Sequence, residues 1–286
     1  MRSFVRAGAS RLGILEFARR ARDTIDGLTW AHHNRKFLRR SGGDGLPIPP
    51  PRLRLLTTAS ASVEWFLNSG QAAKDSIQEL LRDQRLSPHQ VTRVLDFGCG
   101  CGRVVRHWAD RSDEVHGCDY NADLVAWCRK HLPFAQFETN QLAPPLHQYG
   151  THSFDLVYAL SVFTHLPQPL QRQWVAEMAR ILRPSGYLII STHGEACLAP
   201  LSERERAEFH AGELVVSTEN EPGTNRCGVY CSEHYVRRHF APGFIVRTFV
   251  PSGARGNPPQ DLMLLQSADQ ADIPPLRHGT ERHGER

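Results

Sequence analysis

The pattern of apolar and polar positions divides the chain into a helical part and an alternating part. Apolar residues recur at helical spacing over 1–40 and again over 63–81. The Gly- and Pro-rich segment 41–51 lies between them and predicts a stiff, helix-breaking connector. From residue 91 onward, short apolar runs alternate with amphipathic stretches, which predicts strands alternating with helices.

Seven strands are predicted in the alternating part. Five of them are separated by helices, which implies a parallel, doubly wound α/β sheet. The last two are joined without a helix, so they should pair antiparallel at one side of the sheet. The predicted strands are Val91–Phe97, Glu114–Asp119, Phe134–Thr139, Phe154–Leu160, Tyr187–Thr192, Phe244–Val250 and Asp261–Gln266. The predicted helices between them include 103–110, 122–131 and 168–182.

We therefore expect an N-terminal helical cap, an α/β domain and a tail. The cap covers 1–88 and includes the connector 41–51. The α/β domain covers 89–267 and carries an insert at 196–230, between the fifth strand and the next helix. The tail 268–286 is polar and rich in Pro and Gly, and we expect it to be disordered.

Composition indicates a soluble globular protein. Hydrophobic residues make up 40% of the 286 positions and charged residues 22%, which excludes a wholly disordered chain. No window approaches the roughly 18–20 apolar residues of a membrane-spanning helix, and the N-terminal stretch lacks the features of a secretory signal. Seven scattered cysteines do not form a disulfide framework. A cytoplasmic location is expected from these features.

Charge is unevenly distributed along the chain. Residues 1–54 carry 12 basic and 4 acidic side chains, whereas the whole chain has a net charge of only +4. Such a segment can meet acidic partners, phosphate or lipid headgroups, which would give weak peripheral membrane contact. The alternative is a solvated basic helix that packs on the α/β domain.

The segment 94–103, VLDFGCGCGR, carries the most specific chemistry. A strand that contains Asp96 runs directly into Gly98, Gly100 and Gly102, and a helix is predicted just after. Glycines at such a turn let the backbone approach a ligand, whose negative group can lie at the helix N-terminus. The G-x-G-x-G spacing differs from the dinucleotide motif G-x-G-x-x-G, and no P-loop lysine is present. A purely structural turn is the alternative.

A carboxylate follows the glycines at the sequence separation expected of a ribose-binding residue. Asp119 ends the second predicted strand, about 20 residues beyond the turn, where a carboxylate accepts hydrogen bonds from ribose hydroxyls. It could instead cap the helix over 121–131. The third strand ends near Asn140, which is either a binding residue or an ordinary turn asparagine.

Taken in order, these motifs resemble those of class I S-adenosylmethionine-dependent methyltransferases. The D-x-G-x-G-x-G form is similar to the first motif of that family. The segment 154–166, FDLVYALSVFTHL, resembles the fourth-strand motif, and 180–190, RILRPSGYLII, resembles the fifth with Ser in place of a usual Gly. The resemblance covers about residues 91–195 closely, and the final strand pair fits the terminal hairpin. The first 90 residues show no diagnostic match.

The resemblance implies a Rossmann-like sheet, a cofactor and a set of binding residues. The implied strand order is 3-2-1-4-5-7-6, with the seventh strand antiparallel. The implied cofactor is S-adenosyl-L-methionine, with a polar side chain near the adenine, for which Asn140 is our choice. The cofactor-binding residues are then Asp96, Gly98, Cys99, Gly100, Gly102, Asp119, Tyr120, Asn140 and Leu160.

Two histidines are candidates for the catalytic base. Methyl transfer from a sulfonium depends largely on positioning, but an acceptor with a high pKa needs a base. His165 follows the fourth strand and His193 ends the fifth, both on the ligand side of the sheet. We expect His193 to be the base and His165 to orient the cofactor, with Glu195 a weaker candidate. A core or pocket-shaping role is the alternative for each histidine.

The acceptor class is narrowed by absent motifs. Residues 159–162, ALSV, differ from the [DNS]-P-P-[YFW] motif of enzymes that methylate nucleic-acid bases, so no nucleic-acid partner is expected. Cys227, Cys231 and His234 lack a fourth ligand at fixed spacing, so no metal is expected. The favoured acceptor is a small molecule, a secondary metabolite or glycan-type compound, methylated at oxygen or nitrogen. Segments 28–70 and 196–230 would cover the pocket.

Two other classes of function stay open at this point. One is a non-methylating enzyme on the same fold, such as a cyclase or an aminopropyl-type transferase. The other is a non-enzymatic protein that binds S-adenosylmethionine or a protein partner. The sequence does not predict an oligomeric state.

Overall fold

The computed structural model describes residues 26–86, 91–110, 114–218, 222–224 and 226–268. Most of the predicted helix over 1–40 and all but the first residue of the predicted tail therefore lie outside the described residues. The helices are α1 (26–41), α2 (Pro51–Thr58), α3 (Val63–Asp83), α4 (Ala122–His131), α5 (Gln168–Ile181), α6 (Glu203–His210) and α7 (Glu233–Phe240). The strands are β1 (Arg93–Phe97), β2 (Glu114–Asp119), β3 (Gln136–Thr139), β4 (Phe154–Ala159), β5 (Leu182–Thr192), β6 (Val215–Thr218), β7 (Gly228–Tyr230), β8 (Phe244–Val250) and β9 (Asp261–Ser267).

Seven strands form one mixed sheet in the order β3-β2-β1-β4-β5-β9-β8. Strands β1 to β5 pair parallel with one another, whereas β9 pairs antiparallel with both β5 and β8. The predicted sixth and seventh strands are β8 and β9, so the doubly wound, Rossmann-like sheet and its order are confirmed. The remaining two strands, β6 and β7, form a separate antiparallel pair that the sequence pattern did not indicate.

Local sequence explains where the main helices begin. The Ser62 side chain accepts a hydrogen bond from the backbone N–H of Trp65 and so caps α3. Asn121 caps α4 in the same way, because its side chain accepts from the backbone N–H groups of Asp123 and Leu124. These caps fix the start of each helix beside the carboxyl edge of the sheet.

Helix α2 was not predicted. It begins at Pro51, a residue whose fixed φ suits the first helical position and whose missing N–H is not needed there. The predicted helix 103–110 is wrong, since only Val105–Trp108 forms a short 3-10 helix. Tertiary contacts override the helical preference of this segment. A Cβ at Gly70 would lie 2.0 Å from the carbonyl oxygen of Arg103, so the α3 backbone packs directly against it.

Strand β5 is longer than predicted at its start. It begins at Leu182 and includes Arg183, Pro184, Ser185 and Gly186, which the pattern indicated as a helix stop. The extra residues are accommodated because Leu182 pairs with Phe154 and the register then shifts by a bulge before Tyr187.

Apolar residues bury both faces of the sheet. On one face, α3 packs with Phe66 and Ile77 in a cluster that also contains Trp108. On the other face, α5 and α7 contribute Trp174 and Tyr235. Since the sheet is covered on both sides, a ligand cleft is expected at its carboxyl edge.

The N-terminal helices are joined to the α/β domain by a buried ion pair. The Arg106 side chain is fully buried and makes two hydrogen bonds to Asp44, from Nε at 2.5 Å and from Nη2 at 3.0 Å. Arg106 also donates to the carbonyl oxygen of Pro47. The connector is therefore held against the segment that follows the glycine turn. Among the described residues, no helix is long and apolar enough to cross a membrane.

Candidate active site

A cavity of about 820 Å³ lies at the carboxyl ends of β1, β2 and β4. It is the cleft at the topological switch point of the sheet, where α/β proteins of this kind bind ligands. Helix α2, the segment 222–224 and the loop before β9 form its other walls. Of the cofactor-binding residues that the resemblance implies, those on the cavity wall are Asp96, Gly98, Cys99, Gly100, Asp119, Tyr120, Asn140 and Leu160.

All three glycines of the turn have positive φ, and two of them lie at the cavity. Gly98 has φ +80° and Gly100 has φ +55°, and both line the cavity. Gly102 also has a positive φ but is not part of the cavity wall. A Cβ there would lie 2.5 Å from a methyl group of Leu132, so Gly102 allows close packing on the segment after α4.

Asp119 joins the turn to the end of β2. Its Oδ2 accepts a hydrogen bond from the backbone N–H of Gly100 at 3.0 Å, and its Oδ1 accepts one from the N–H of Asn121 at 2.8 Å. Burial raises the pKa of the Asp119 carboxyl, while these two N–H groups lower it. Each oxygen keeps a second acceptor position, which fits a pair of ribose hydroxyls.

Asp96 is a buried carboxylate in the cavity wall with one oxygen left unpaired by the described part of the chain. It is 4% exposed, and its Oδ2 has no hydrogen-bond partner among the described residues. Burial raises the pKa of its carboxyl to about 7, against the opposing effects of Tyr158 and Arg103. An unpaired buried carboxylate oxygen is costly unless a ligand donates to it. A cationic amino group, such as that of a methionine moiety, satisfies this requirement.

The end of β3 supplies a second unpaired acceptor. The Asn140 amide nitrogen donates to the carbonyl oxygen of Gln141 at 2.6 Å, while its buried Oδ1 has no partner in the part of the chain that the structure describes. Tyr120 and Leu142 lie on the same wall and are partly exposed. Two apolar surfaces beside an open amide oxygen fit an aromatic base that carries an amino group.

Both candidate histidines line the same cavity. Their ring centroids are 6.1 Å apart at an interplanar angle of 80°. His165 Nδ1 lies 2.7 Å from the carbonyl oxygen of Cys227, and His193 Nδ1 lies 3.0 Å from that of Val229. Burial lowers the pKa of both rings, and with the effect of His165 added it lowers that of His193 to about 4. Both are therefore neutral at pH 7, and each Nδ1 donates its proton to the carbonyl.

Several residues of the cavity wall were missed by sequence reasoning. Thr57 of α2 accepts a hydrogen bond from the backbone N–H of Cys101 at 3.2 Å, so α2 lies directly on the glycine turn. Ser161, Gln260 and Asn257 also line the cavity. Gln260 directly precedes the predicted final strand Asp261–Gln266, and that strand is predicted only as part of the terminal hairpin, which indicates no site.

The cysteines do not form a metal site in the described part of the chain. No group of three or more His, Cys, Asp or Glu residues there could hold a metal ion. Cys227 and Cys231 are buried and form no disulfide with another described residue, and their region supplies backbone carbonyls to the two histidines.

Comparison with known proteins agrees with this geometry. A family profile described as "Methyltransferase domain" matches residues 95–190. A probable S-adenosylmethionine-dependent methyltransferase of Mycolicibacterium smegmatis is 35% identical over 133 residues, which are 46% of this chain and 50% of that protein. A malonyl-[acyl-carrier protein] O-methyltransferase of Enterobacter lignolyticus is 34% identical over 128 residues, 43% of this chain and 47% of the other. The chain thus spans about half the length of these curated relatives.

A solved structure shows the same fold over a longer stretch. The PH0226 protein from Pyrococcus horikoshii has a TM-score of 0.53 and 18% identity, covering 76% of this chain and 97% of that one. The sheet order and the glycine turn agree with the Rossmann-like fold that the sequence resemblance implies. Residues 95–190 are thus similar to a methyltransferase domain, and the matched relatives include a probable S-adenosylmethionine-dependent methyltransferase.

Proposed function

We propose that the protein transfers the methyl group of S-adenosylmethionine to an oxygen or nitrogen of a small or carrier-bound acceptor. The observation that carries this proposal is the convergence of Asp96, Asp119 and the positive-φ glycines on one cavity. Two buried carboxylates with spare acceptor positions suit a ligand that brings both a cationic amino group and ribose hydroxyls.

The cofactor would lie along the carboxyl edge of the sheet. Asp119 would accept from the ribose hydroxyls, and the open Oδ2 of Asp96 would accept from the amino group. Asn140 would accept from the exocyclic amine of the adenine, beside Tyr120. Leu160 completes the wall at the end of β4. Since burial raises the pKa of the Asp96 carboxyl to about 7, a bound cation would stabilise its charged form.

The rest of the cavity would receive the acceptor. Leu56 and Trp65, from the N-terminal helices, are 41% and 43% exposed and line the cavity, so they offer apolar contact area. His165 and His193 lie on the same cavity wall. An acceptor with an apolar body and one polar head fits this surface. The matched relatives named as O-methyltransferases support oxygen as the head atom.

The reaction would be an in-line displacement. S-adenosylmethionine supplies an activated methyl group whose leaving group is a neutral thioether. The protein's part is to hold the acceptor in line, to exclude water and to take the proton that the acceptor loses. Two neutral histidines in the cavity can accept that proton.

The proposal is tested in two stages with the full chain. Calorimetric titration should show binding of S-adenosylmethionine and S-adenosylhomocysteine but not of NAD. The protein is then incubated with methyl-labelled cofactor and a panel of hydroxylated and amino compounds, and products are detected by mass spectrometry. Binding of NAD in place of S-adenosylmethionine, or cofactor binding with no methylated product from any panel or cell extract, would count against the proposal.

A further inference from the structure

Gln260 occupies the centre of a polar network beside the two histidines. It lies just before β9, is fully buried and lines the cavity. Its Nε2 is 2.9 Å from Oγ of Ser161 and 3.3 Å from Nε2 of His193, and its Oε1 is 2.8 Å from Oγ of Ser191. A buried amide with every hydrogen-bonding atom engaged fixes the geometry of its neighbours.

The direction of each hydrogen bond in this network follows from the tautomer of His193. Its Nδ1 donates to the carbonyl oxygen of Val229, so the neutral ring has a lone pair at Nε2, and the Gln260 group that faces it is the NH₂ group. The other end of the Gln260 side chain is Oε1, which accepts from the hydroxyl of Ser191, while the N–H of Ser161 donates to Oγ of Ser191 at 2.7 Å. One proton of the NH₂ group goes to Oγ of Ser161 and the other to Nε2 of His193.

Both ring nitrogens of His193 are consequently engaged. Nδ1 donates to the carbonyl oxygen of Val229, and the Nε2 lone pair receives the amide proton of Gln260. His165 differs at one atom. Its Nδ1 donates to the carbonyl oxygen of Cys227, whereas the two amide protons of Gln260 go to Ser161 and His193, so none is left for Nε2 of His165. The two histidines therefore differ at Nε2, which accepts a hydrogen bond from Gln260 in His193 but not in His165.

We propose that His165 Nε2 is the proton acceptor of the reaction, and that Gln260 is a positioning residue that holds His193 and Ser161. This assignment rests on the proposed methyl transfer and reverses the roles expected from sequence position. As the bond from the methyl carbon to the acceptor atom forms, the carbon–sulfur bond breaks and its electron pair stays on sulfur. The proton of the acceptor passes to His165 Nε2.

Two further observations support this assignment. The ring centroids of His193 and Tyr230 are 5.0 Å apart. Burial lowers the pKa of His193 to about 4, which makes this ring a weak base. Ser161 has φ +60°, an uncommon value for serine, and its hydrogen bonds to Ser191 and Gln260 stabilise this conformation. Because the Ser161 oxygen already accepts from Gln260, its hydroxyl proton is available to a ligand in the cavity.

The test uses diethyl pyrocarbonate, which acylates the free lone pair of a neutral imidazole. The full-length protein without ligand is treated at pH 7, and peptides containing each histidine are quantified by mass spectrometry. We expect His165 to be modified about tenfold faster than His193, because reaction at His193 first requires the hydrogen bond from Gln260 to break. In Gln260→Leu, His193 should become as reactive as His165. The control Gln266→Leu lies on β9, the strand that follows Gln260, is not part of the cavity wall, and should leave both rates unchanged.

The assignment is overturned if His193 of the wild type reacts as fast as His165, or if His165 does not react. It is also overturned if Gln260→Leu leaves His193 protected. With an acceptor found in the labelling screen, His165→Gln should lower kcat by ~10²–10⁴ with unchanged cofactor affinity. His193→Gln should lower kcat less. Failure of S-adenosylmethionine to bind would instead refute the proposed function, since the modification pattern is measured without any cofactor.

Discussion

The carboxylate of Asp119 and the backbone N–H of Gly100 are joined by a hydrogen bond of 3.0 Å. This bond links the end of β2 to the glycine turn after β1. A single carboxylate therefore shapes the turn and presents its remaining acceptor positions to the cavity. Deleting the side chain removes both roles at once, so ligand affinity and protein stability have to be measured together.

Replacing Asp119 with Ala should weaken S-adenosylmethionine binding by about 1.5–3 kcal/mol, because the ribose hydroxyls lose a charged acceptor. Binding is measured by calorimetry, and thermal unfolding reports how much the turn is loosened. The matched control is Asp123→Ala, an exposed carboxylate four residues along the chain that pairs with Arg52 at the surface. Unchanged affinity in a folded Asp119→Ala protein would exclude Asp119 from ribose binding.

Replacing Asp96 with Asn should change the pH dependence of stability. Burial raises the folded-state pKa of Asp96 from 3.8 to about 7, so the folded protein binds this proton more tightly than the unfolded chain. The stabilisation is complete below pH 3.8 and is lost as pH rises toward 7. The free energy of unfolding of the wild type relative to Asp96→Asn should therefore fall by about 2–4 kcal/mol between about pH 4 and pH 8.

The same variant should bind S-adenosylmethionine more weakly, because an amide cannot pair with the amino group as a charge. Stability is measured by urea unfolding at several pH values and affinity by calorimetry at pH 7. A difference in stability that does not vary with pH would show that Asp96 titrates normally. Tighter or equal binding by Asp96→Asn would contradict its role as the acceptor for the amino group.

Gly100→Ala should destabilise the protein and weaken cofactor binding. The φ of +55° costs an alanine about 1–2 kcal/mol, and a Cβ at this position would lie 2.6 Å from Cγ2 of Thr57. Gly45→Ala is the matched control, since Gly45 has φ +78° with no atom within 4 Å of the added Cβ. The second change Thr57→Ala should restore part of the stability lost in Gly100→Ala. Additive losses in the double variant would show that Thr57 is not the obstacle.

The sequence predicted the sheet well because each of its strands and helices carries its own periodicity. The second strand, Glu114–Asp119, and the helix 122–131 were predicted at their observed ends, where apolar alternation and the Asn121 cap are both local features. The final antiparallel pair followed from the absence of a helix between its strands. The glycine turn was likewise predictable, because the spacing of its glycines and their place directly after a strand are local features too.

The parts that were missed depend on contacts between distant residues. Helix α2 carries few local sequence signals. Its position depends on the hydrogen bond that the backbone N–H of Cys101 donates to the hydroxyl of Thr57. Gln260 is one glutamine in a loop, and its importance arises only because folding brings Ser161 and His193 to it. Local sequence patterns do not predict hydrogen bonds between residues that are far apart in the chain.

Asp44→Ala should destabilise the protein strongly, because it leaves the buried Arg106 guanidinium without its counter-ion. Removing one partner of a buried ion pair typically costs about 3–5 kcal/mol. Glu79→Ala is the control, since Glu79 contacts Arg82 and Arg255 at the surface, and it should cost less than about 1 kcal/mol. Urea unfolding measures both. A small loss for Asp44→Ala would mean that the connector is not held by this pair.

Trp65→Ala tests whether the N-terminal helices select the acceptor. Trp65 lines the cavity yet is 43% exposed, so a large apolar surface is left available to a ligand. An acceptor packed on this ring would lose about 1–3 kcal/mol of apolar contact, and its KM should rise by about 5- to 150-fold. The dissociation constant of S-adenosylmethionine should change less than about twofold, since the residues proposed to bind it lie on the other wall.

The control for this last prediction is Leu28→Ala, because Leu28 is 71% exposed and is not part of the cavity wall. Acceptor KM and kcat are measured with the compound identified in the labelling screen, and cofactor affinity by calorimetry. If Trp65→Ala instead weakens S-adenosylmethionine binding and leaves acceptor KM unchanged, the ring belongs to the cofactor side. The apolar surface that recognises the acceptor would then have to be sought on the insert, around 222–224 and 226–230.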